Sequence, residues 1–302
     1  MENKKVAVIM STYNGEKFIR EQLDSILAQT YKNIEIVVRD DGSKDNTVAI
    51  VKEYMKSNSN IILYEGENIG FIKSFFQLLT LVEADYYSYA DQDDVWMENK
   101  IELAVNSLNE LDNSKPNMAF GNSDYYDENM KFIKQGPRNK KISFVRALFS
   151  CCGQGMTMTV NKKTRDTIIE NTPKNCFFHD WWTYLVCVGL GNVAYNNEVT
   201  VKYRRRKENA TSEGQGYFRL LVWRIKHLLV GDGMKDIKQQ MINFKEYYYH
   251  QLSEENRNVL KVFAERNNTM GLVLRKMFYP KRLRDNFLDE IMVRFIFLMG
   301  VL

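Results

Sequence analysis

The 302-residue sequence has the composition of a globular chain. Hydrophobic residues make up 44 % of it and charged residues 26 %, and with only 4 Pro and 16 Gly the composition argues against long disordered or repetitive segments. A chain of this length holds one large domain, or one domain with an appendage. The formal net charge is +4, and residues 216–302 carry the basic excess, with 15 Lys and Arg against 9 Asp and Glu.

The four cysteines give no sign of a disulfide framework or a redox motif. None of them has Cys-x-x-Cys spacing, and the amino terminus lacks the charged and apolar segments of a signal peptide. We therefore expect a reduced, cytoplasmic protein. Cys151 and Cys152 precede a glycine-containing stretch, where small buried core cysteines are expected rather than a nucleophilic thiol.

The first part of the chain alternates between strand and helix patterns. Residues 6–10 are a continuous apolar run typical of a strand buried on both faces, and a polar loop leads from them into a helix expected at residues 16–29. The next apolar run, at residues 34–38, predicts a second strand. Strand, helix and strand in this order imply a parallel crossover, so we expect an open α/β sheet.

Polar side chains collect where successive strands end. They are Thr12, Tyr13 and Asn14 after the first strand, Asp41 after the second, and Asn68 and Gly70 after the third. Ligands of open α/β sheets bind at that edge, so these residues are expected to meet one ligand. The absence of Gly-x-Gly-x-x-Gly after the first strand, and of Gly-Lys-Ser/Thr, argues against dinucleotide enzymes and P-loop phosphotransferases. The alternative is conformational, with Asp41 in an Asp-Gly turn and Asn68 in a left-handed turn.

Three carboxylates, Asp91, Asp93 and Asp94, lie within four residues between an aromatic strand at 84–89 and a helix at 98–111. Carboxylates packed this closely raise one another's pKa, so an ionised cluster needs a cation beside it at neutral pH. Oxygen ligands favour Mg²⁺ or Mn²⁺, completed by water or phosphate. We therefore expect a divalent metal ion at Asp91 and Asp93. The alternative is a solvated acidic turn that caps the next helix.

Four stretches in this order resemble the family 2 inverting glycosyltransferases of the GT-A fold. They are Ser11-Thr12-Tyr13-Asn14-Gly15, Arg39-Asp40-Asp41-Gly42-Ser43, Asn68-Ile69-Gly70 and Asp91-Gln92-Asp93-Asp94. The resemblance covers about residues 5–210, and the fuller stretch from Asp91 to Trp96 is most similar to bacterial rhamnosyltransferases, whose donor is dTDP-L-rhamnose. It implies an α/β fold with a Rossmann-like mixed sheet flanked by helices, a GT-A domain at residues 1–215 and a basic helical appendage at 216–302.

The resemblance also assigns a donor site. The residues expected to bind the nucleotide sugar are Thr12, Tyr13, Asn14, Asp41, Asn68, Gly70, Asp91, Gln92 and Arg206. Asp41 would accept a hydrogen bond from the pyrimidine N3–H, and a cation at Asp91 and Asp93 would neutralise the departing diphosphate. A UDP-hexose is the rival donor, because Asp41 would recognise uracil and thymine alike.

The second half of the domain is expected to supply the catalytic base and the acceptor site. By the resemblance, Asp180 takes the proton of the acceptor hydroxyl. The residues expected to line the acceptor and sugar pocket are Trp96, Gly153, Gln154, His179, Trp181 and Trp182. The alternative is a helix capped by Asp180, with the histidine and tryptophans in the core. The alternative from another functional class is a nucleotide-binding module without catalysis. This alternative is disfavoured because the chain keeps all three expected carboxylates, Asp91, Asp93 and Asp180.

Arg206 departs from the family pattern. Residues 203–206 occupy the place where many relatives carry Tyr-Arg-x-His, whose histidine helps to bind the metal. A guanidinium cannot coordinate a cation, but it can hold diphosphate oxygens in a fixed fork. We therefore expect Arg206 to bind the donor and metal dependence to be partial. The alternative is a solvated basic strand end.

Beyond residue 216 the pattern is helical. Helices are expected at residues 217–230, 235–249, 254–266, 269–278 and 285–302. From Arg266 to Arg284 there are six basic residues and no acidic one, which suits an anionic membrane surface better than nucleic-acid readout. The last helix has an apolar face but is too short to span a bilayer, so it lies in the interface, docks on another subunit or closes the core. By the resemblance, the expected acceptor is a saccharide, lipid-linked at the inner face of the membrane, in bacterial surface-polysaccharide synthesis.

Overall fold

The structure is a computed structural model that describes residues 3–206, 233–265 and 269–298. These residues form two compact units that alternate along the chain. The first unit comprises residues 3–140, 153–172 and 192–206, and the second comprises 141–152, 173–191, 233–265 and 269–298. The sequence predicts a single boundary near residue 215, which lies outside the described residues. The second unit thus includes two segments from earlier in the chain, because their apolar side chains are buried among the C-terminal helices.

The first unit is built on a mixed sheet, which in the described residues has nine strands. They are β1 (Val6–Thr12), β2 (Ile34–Asp40), β3 (Ile61–Glu65), β4 (Tyr86–Ala90), β5 (Val95–Trp96), β6 (Asn117–Tyr126), β7 (Phe132–Gln135), β8 (Met158–Asn161) and β9 (Asn192–Arg204). The order is β3-β2-β1-β4-β8-β6-β9-β5, with β7 beside β6. Strands β1 to β4 are parallel, whereas β8 lies antiparallel to both β4 and β6.

Helices of the first unit cover this sheet. They are α1 (Ile19–Leu27), α2 (Thr47–Met55), α3 (Phe71–Leu81), α4 (Lys100–Asn109) and, later in the chain, α6 (Lys162–Glu170). The side chains of residues 6–10 in β1 are fully buried, as expected of a parallel strand with both faces covered. Helix α1 contributes Ile19, Leu23 and Ile26 to the same core, at the spacing of one helix face.

The second unit is helical and has an aromatic core. Its helices are α5 (Phe144–Ala147), α7 (His179–Leu190), α8 (Gly233–Tyr248), α9 (Glu254–Phe263), α10 (Met270–Met277) and α11 (Phe287–Leu298). The ring of Trp182 lies 5.9 Å from that of Phe244, and the ring of Phe149 lies 5.0 Å from that of Phe263. These pairs join α7 to α8 and the end of α5 to α9.

The predicted fold is confirmed, with a mixed α/β sheet flanked by helices and a set of C-terminal helices. Four of the five C-terminal helices predicted from the sequence occur within three residues of the expected start, and the one expected at 217–230 lies outside the described residues. Among the described helices, none combines the length and the apolar character needed to cross a membrane.

Candidate active site

A side-chain amide joins the loop after β1 to the acidic loop after β4. The amide of Gln92 accepts a hydrogen bond from the backbone N–H of Tyr13 at 2.9 Å and donates one to the carbonyl of Tyr13 at 3.0 Å. Gly15 leaves the space for this clamp, because a Cβ there would lie 2.2 Å from Oε1 of Gln92. The ring of Tyr13 is 46 % exposed, so it is open to a ligand.

Asn14 joins the same loop to the one after β2. It adopts a left-handed backbone with φ of 48°, its N–H donates to Oγ of Ser43, and its Oδ1 accepts from the N–H of Lys44. Asparagine tolerates this conformation better than most residues. Asn14 therefore holds two strand-end loops together, and its side-chain oxygen is already engaged.

The adjacent carboxylates of Asp40 and Asp41 have different surroundings. Asp40 accepts from the N–H groups of Gly42 and Ser43 and from the hydroxyls of Thr12 and Ser43. Because an ionised carboxylate offers about four acceptor positions, these bonds fill it. Asp40 therefore builds the turn after β2, and Thr12, which is buried, serves that turn.

Asp41 keeps one acceptor position. Its carboxylate is buried, pairs with Nη1 of Arg39 at 2.5 Å, and accepts from the N–H groups of Ile69 and Gly70 at 2.9 Å each. Three of about four acceptor positions are thus used. The left-handed residue of this loop is Gly70, with φ of 81°, whereas Asn68 has no positive φ and accepts from the N–H of Gly70.

The acidic loop is neutralised in part by the chain itself. Oδ2 of Asp93 lies 2.7 Å from Nη2 of Arg206, and little of the Asp93 side chain is exposed. Burial raises the pKa of Asp93, although the guanidinium groups of Arg206 and Arg204 oppose the rise. Arg206 therefore contacts the carboxylate that the sequence predicts as a metal ligand, at the position where the family pattern leads us to expect a histidine.

Asp94 is a buried structural acid. Its Oδ1 accepts from the N–H of Arg204 at 2.9 Å, and its Oδ2 has no hydrogen-bond partner. Burial, followed by the charges of Asp93 and Asp91, raises the pKa of Asp94 well above its ordinary value. Carboxylates packed this closely disfavour one another's ionised form.

Arg204 connects the acidic loop to α1 and to the turn at Glu128, a role that was not predicted from the sequence. It is buried, its Nε donates to the carbonyl of Asp93 at 2.7 Å, and its Nη atoms contact the carboxylate of Glu21 and the carbonyl of Glu128. The family pattern Tyr-Arg-x-His could have indicated this role, because its arginine corresponds to Arg204, two residues before the metal-ligand position. Arg204 therefore holds the acidic loop next to α1, because one guanidinium contacts both.

Trp96 packs beneath the acidic loop. It is buried, and Nζ of Lys100 lies 3.7 Å from the centre of its ring. Lys100 is also buried, donates to Oγ of Ser88 at 2.7 Å, and has its pKa lowered well below the ordinary value by burial. The burial of Trp96 favours the packing alternative over a wall of the sugar pocket.

The residues present fit a hard divalent cation. Mg²⁺ usually takes one or two carboxylates together with phosphate oxygens and water, and Asp91, which is partly exposed, and Asp93 offer carboxylates of this kind. No group of three or more His, Cys, Asp or Glu side chains is placed to hold a metal within the ranges that the structure describes. Further ligands would have to come from the donor phosphates and water.

Asp180 lies in the first turn of α7 in the second unit. It is half-buried, and its Oδ1 accepts from the N–H of Trp181 at 2.7 Å. The N-cap position is Phe178 rather than Asp180. An ionised carboxylate is favoured near a helix N-terminus. In place of the capping alternative, Asp180 makes a first-turn contact with the backbone, and the residue is half-buried.

The aromatic residues next to Asp180 are buried in the second unit. Trp181 donates through Nε1 to the carbonyl of Ala147 at 2.6 Å, and Trp182 is fully buried. Burial lowers the pKa of His179 to about 3, so its ring is neutral at physiological pH. For these three residues the burial favours the core alternative over contact with a sugar.

The glycine stretch at 153–155 belongs to the first unit. A Cβ on Gly153 would lie 2.8 Å from Cε of Met158, so a larger residue there would have to displace the end of that side chain. The side chain of Gln154 is partly exposed and accepts from the hydroxyl of Ser123. None of the four cysteines forms a disulfide, and Cys152 donates to Oη of Tyr184 at 3.0 Å.

Two solved structures share the fold of the chain. S. aureus TarS 1-349 in complex with UDP-GlcNAc matches with a TM-score of 0.58 and 17 % identity, over 98 % of this chain and 92 % of that one. A mannosyltransferase from Pyrobaculum calidifontis in complex with GDP-Man and Mn²⁺ matches with a TM-score of 0.55 and 17 % identity, over 99 % and 86 %. These likenesses support the GT-A fold.

Sequence relatives extend over most of the chain. An uncharacterized glycosyltransferase of Rickettsia typhi is 29 % identical over 87 % of this chain and 80 % of its own. The dTDP-rhamnosyl transferase RfbG of Shigella flexneri is 30 % identical over 66 % of this chain and 72 % of its own. The profile of glycosyl transferase family 2 matches residues 7–172, more than half of the sequence. The chain therefore belongs to glycosyl transferase family 2.

Proposed function

We propose that this glycosyltransferase moves L-rhamnose from dTDP-L-rhamnose to a saccharide acceptor, with inversion at the anomeric carbon. The observation that best supports dTDP-L-rhamnose as the donor is the 30 % identity to the dTDP-rhamnosyl transferase RfbG. The stretch from Asp91 to Trp96 supports the same branch. A UDP-hexose is the rival donor, because uracil and thymine present the same N3–H and because the similar TarS structure contains UDP-GlcNAc.

The proposed donor site uses the ends of β1, β2 and β4. Asp41 accepts the thymine N3–H at the position that Arg39 and the backbone N–H groups leave free. The exposed ring of Tyr13 lines the nucleoside, and Gln92 holds its backbone in place. Asp91 faces the ribose.

In the proposed site, Asp91 and Asp93 hold a Mg²⁺ or Mn²⁺ ion together with the donor diphosphate. The ion would supply positive charge to the leaving dTDP. Arg206 provides a second cation near the same carboxylate, at 2.7 Å from Asp93. A guanidinium released from Asp93 can hold phosphate oxygens in a bidentate contact.

Asp180 is the proposed catalytic base. As the acceptor hydroxyl oxygen forms its bond to the anomeric carbon, the bond to the dTDP oxygen breaks on the opposite face, and the hydroxyl proton moves to the carboxylate of Asp180. The partial exposure of Asp180 in the first turn of α7 supports this role. The partly exposed amide of Gln154 is proposed to contact the acceptor.

We further propose that the acceptor is a lipid-linked saccharide used in the synthesis of a bacterial surface polysaccharide. Such an acceptor would place the reaction at the inner face of a membrane. The support for this part of the proposal is the basic excess of residues 216–302.

The donor is tested by thermal shift with dTDP-rhamnose, UDP-glucose, UDP-GlcNAc and GDP-mannose, each with Mn²⁺ and with chelator. A ligand that binds only the folded state raises the melting temperature. We expect the largest shift with dTDP-rhamnose. A larger shift with a UDP-sugar would establish the rival donor, and no shift with any of the four would reject the assignment of the site.

Catalysis is tested by slow hydrolysis and by transfer. The parent should release dTDP from dTDP-rhamnose, whereas a nucleotide-binding module would not. The variant Asp180→Asn should lose transfer while its donor affinity stays within a few-fold, because the base acts on the acceptor. Full transfer by this variant would remove Asp180 from the role.

A further inference from the structure

The last helix, α11, turns its acidic side chains inward. Glu290 is buried, accepts from the N–H groups of Leu283 and Arg284 at 2.8 and 2.7 Å, and pairs with Arg294. Asp289 is buried as well. The acidic side chains of α11 therefore lie on its buried side, and they do not make its exposed side polar.

The same helix exposes large apolar side chains, and so does α10. The exposed residues are Met270, Leu274 and Phe278 on α10 and its end, and Phe287, Leu288, Ile291, Phe295 and Leu298 on α11. Their exposed fractions lie between 44 % and 75 %. In each helix most of these positions recur at spacings of three or four residues, so each helix presents one apolar stripe. We call these eight residues the apolar face.

Helices α10 and α11 are joined by hydrogen bonds of one arginine. The guanidinium of Arg294 in α11 donates to the carbonyls of Met277 and Tyr279, at the end of α10. This contact holds the two helices as a pair. Exposed apolar surface of this extent is unusual on a monomeric protein and marks a surface that another molecule covers.

The charges around the apolar face are mainly basic. Arg275 and Arg282 are exposed and form no ion pair with the described residues, and Lys281 is exposed and paired with Glu255 of α9. Of the three carboxylates in residues 269–298, two are buried, and Asp285 pairs with Arg146. A surface with apolar side chains outward and exposed arginines beside them complements the boundary between acyl chains and anionic headgroups.

We infer that the apolar face of α10 and α11 is a docking surface for an anionic lipid bilayer. With 12 residues, α11 is about 18 Å long, so it lies in the interface rather than across the membrane. Three exposed phenylalanines insert to the depth of the acyl boundary, and Arg275 and Arg282 meet the headgroups. This inference rests on the C-terminal helices and is independent of the donor proposed above.

The test is flotation of the full chain with vesicles, without any nucleotide sugar. Vesicles of phosphatidylcholine alone are compared with vesicles that also contain phosphatidylglycerol, at low and high salt. We expect flotation with the anionic vesicles that weakens with salt. No flotation with anionic vesicles overturns the inference, whatever the outcome of the donor tests.

Two double variants distinguish binding through the apolar face from nonspecific hydrophobic binding. Ile291→Glu with Phe295→Glu should lower vesicle binding at least tenfold. The matched control is Phe132→Glu with Ile133→Glu, which changes two similarly exposed residues of β7 and should bind as the parent does. Equal binding by the two variants overturns the inference. Light scattering that shows a parent dimer and a monomeric α11 variant, without vesicle binding, would assign the face to a second copy and also overturns it.

Discussion

Asp93 and Arg206 form an ion pair at the carboxylate where a divalent cation is proposed to bind. Two cations therefore compete for one acidic side chain. In Arg206→Ala the metal has no guanidinium to displace, so Mn²⁺ should bind about tenfold more tightly without nucleotide. In chelator the same variant should bind dTDP more weakly, because a phosphate-binding cation is lost. Calorimetry measures both affinities.

Arg205→Ala is the control for that experiment. Arg205 is the adjacent arginine, and its guanidinium donates to Oη of Tyr203 in its own strand, so both affinities should match the parent. Arg206→His restores a possible metal ligand and should make transfer depend more strongly on manganese. If Arg206→Ala and Arg205→Ala gave the same affinities, the competition would be disproved.

His179 should make stability depend on pH. Burial lowers its pKa from 6.5 to about 3, so between these values the unfolded chain binds a proton that the folded chain does not. The contribution of His179 to stability is therefore complete above pH 6.5 and is lost progressively as the pH falls toward 3. In His179→Leu the free energy of unfolding should fall less steeply with acid, by up to roughly 1.4 kcal/mol per pH unit.

Urea denaturation at several pH values measures this slope. The control is His250→Leu, which changes an exposed histidine of the same unit and should keep the parent slope. Substituting a buried ring can also shift stability at every pH, so the slope is the diagnostic quantity. Parallel profiles for His179→Leu and the parent would show that this ring does not carry the acid sensitivity.

At the scale of single residues, some contacts of the candidate site could not be predicted from the sequence. The pattern predicts Asp41 as a ligand-binding carboxylate but not Arg39 as its buried partner, although a charge inside an apolar strand has to be paired. It names Asp93 but not the anchoring of its carbonyl by Arg204. Both are contacts across the fold, and neither leaves a local periodic signal.

At the scale of elements, the clamp between Gln92 and Tyr13 sets the spacing of two loops. Gly15→Ala should push the Gln92 amide aside, because the new Cβ would lie 2.2 Å from its oxygen. The displaced atom ends a flexible side chain, so stability should change little. Nucleotide affinity should fall several-fold, to the level of Gln92→Ala, as measured by calorimetry.

A double-mutant cycle sharpens this prediction. If Gly15→Ala acts only through the clamp, it should have no further effect in the Gln92→Ala background. Gly271→Ala is the control, since a Cβ there meets nothing within 4 Å. Additive losses from the two substitutions would mean that Gly15 acts through another contact.

The elements themselves were predictable where periodicity was strong. Apolar runs predict β1 and β2, and the spacing of apolar residues predicts α1, α4 and the described C-terminal helices. Strand β5 has two residues, and β9 has 13 with Asn196, Asn197 and Glu198 in its middle, so neither carries a clear pattern. Their pairing depends on partners distant in sequence.

At the scale of the whole molecule, the second unit depends on segments from both halves of the chain. Trp182 of α7 is fully buried, and its ring lies 5.9 Å from Phe244 and 6.2 Å from Tyr248 of α8. The amide of Asn243 also donates to the carbonyl of Asn175 at 2.8 Å. The proposed base, Asp180, lies in the same helix as Trp182, so its position depends on the C-terminal helices.

A chain ending after residue 206 tests this dependence. Without α8 to α11, residues 141–152 and 173–191 lose the partners that bury their aromatic side chains, and losing the contacts of one large aromatic residue alone costs about 3–5 kcal/mol. We expect red-shifted tryptophan emission, binding of a hydrophobic dye and loss of a cooperative urea transition. If the truncated chain instead unfolds cooperatively at the parent midpoint with buried tryptophan emission, the catalytic helix is stable without the C-terminal region, and the single boundary predicted near residue 215 describes the molecule better than the interleaved units.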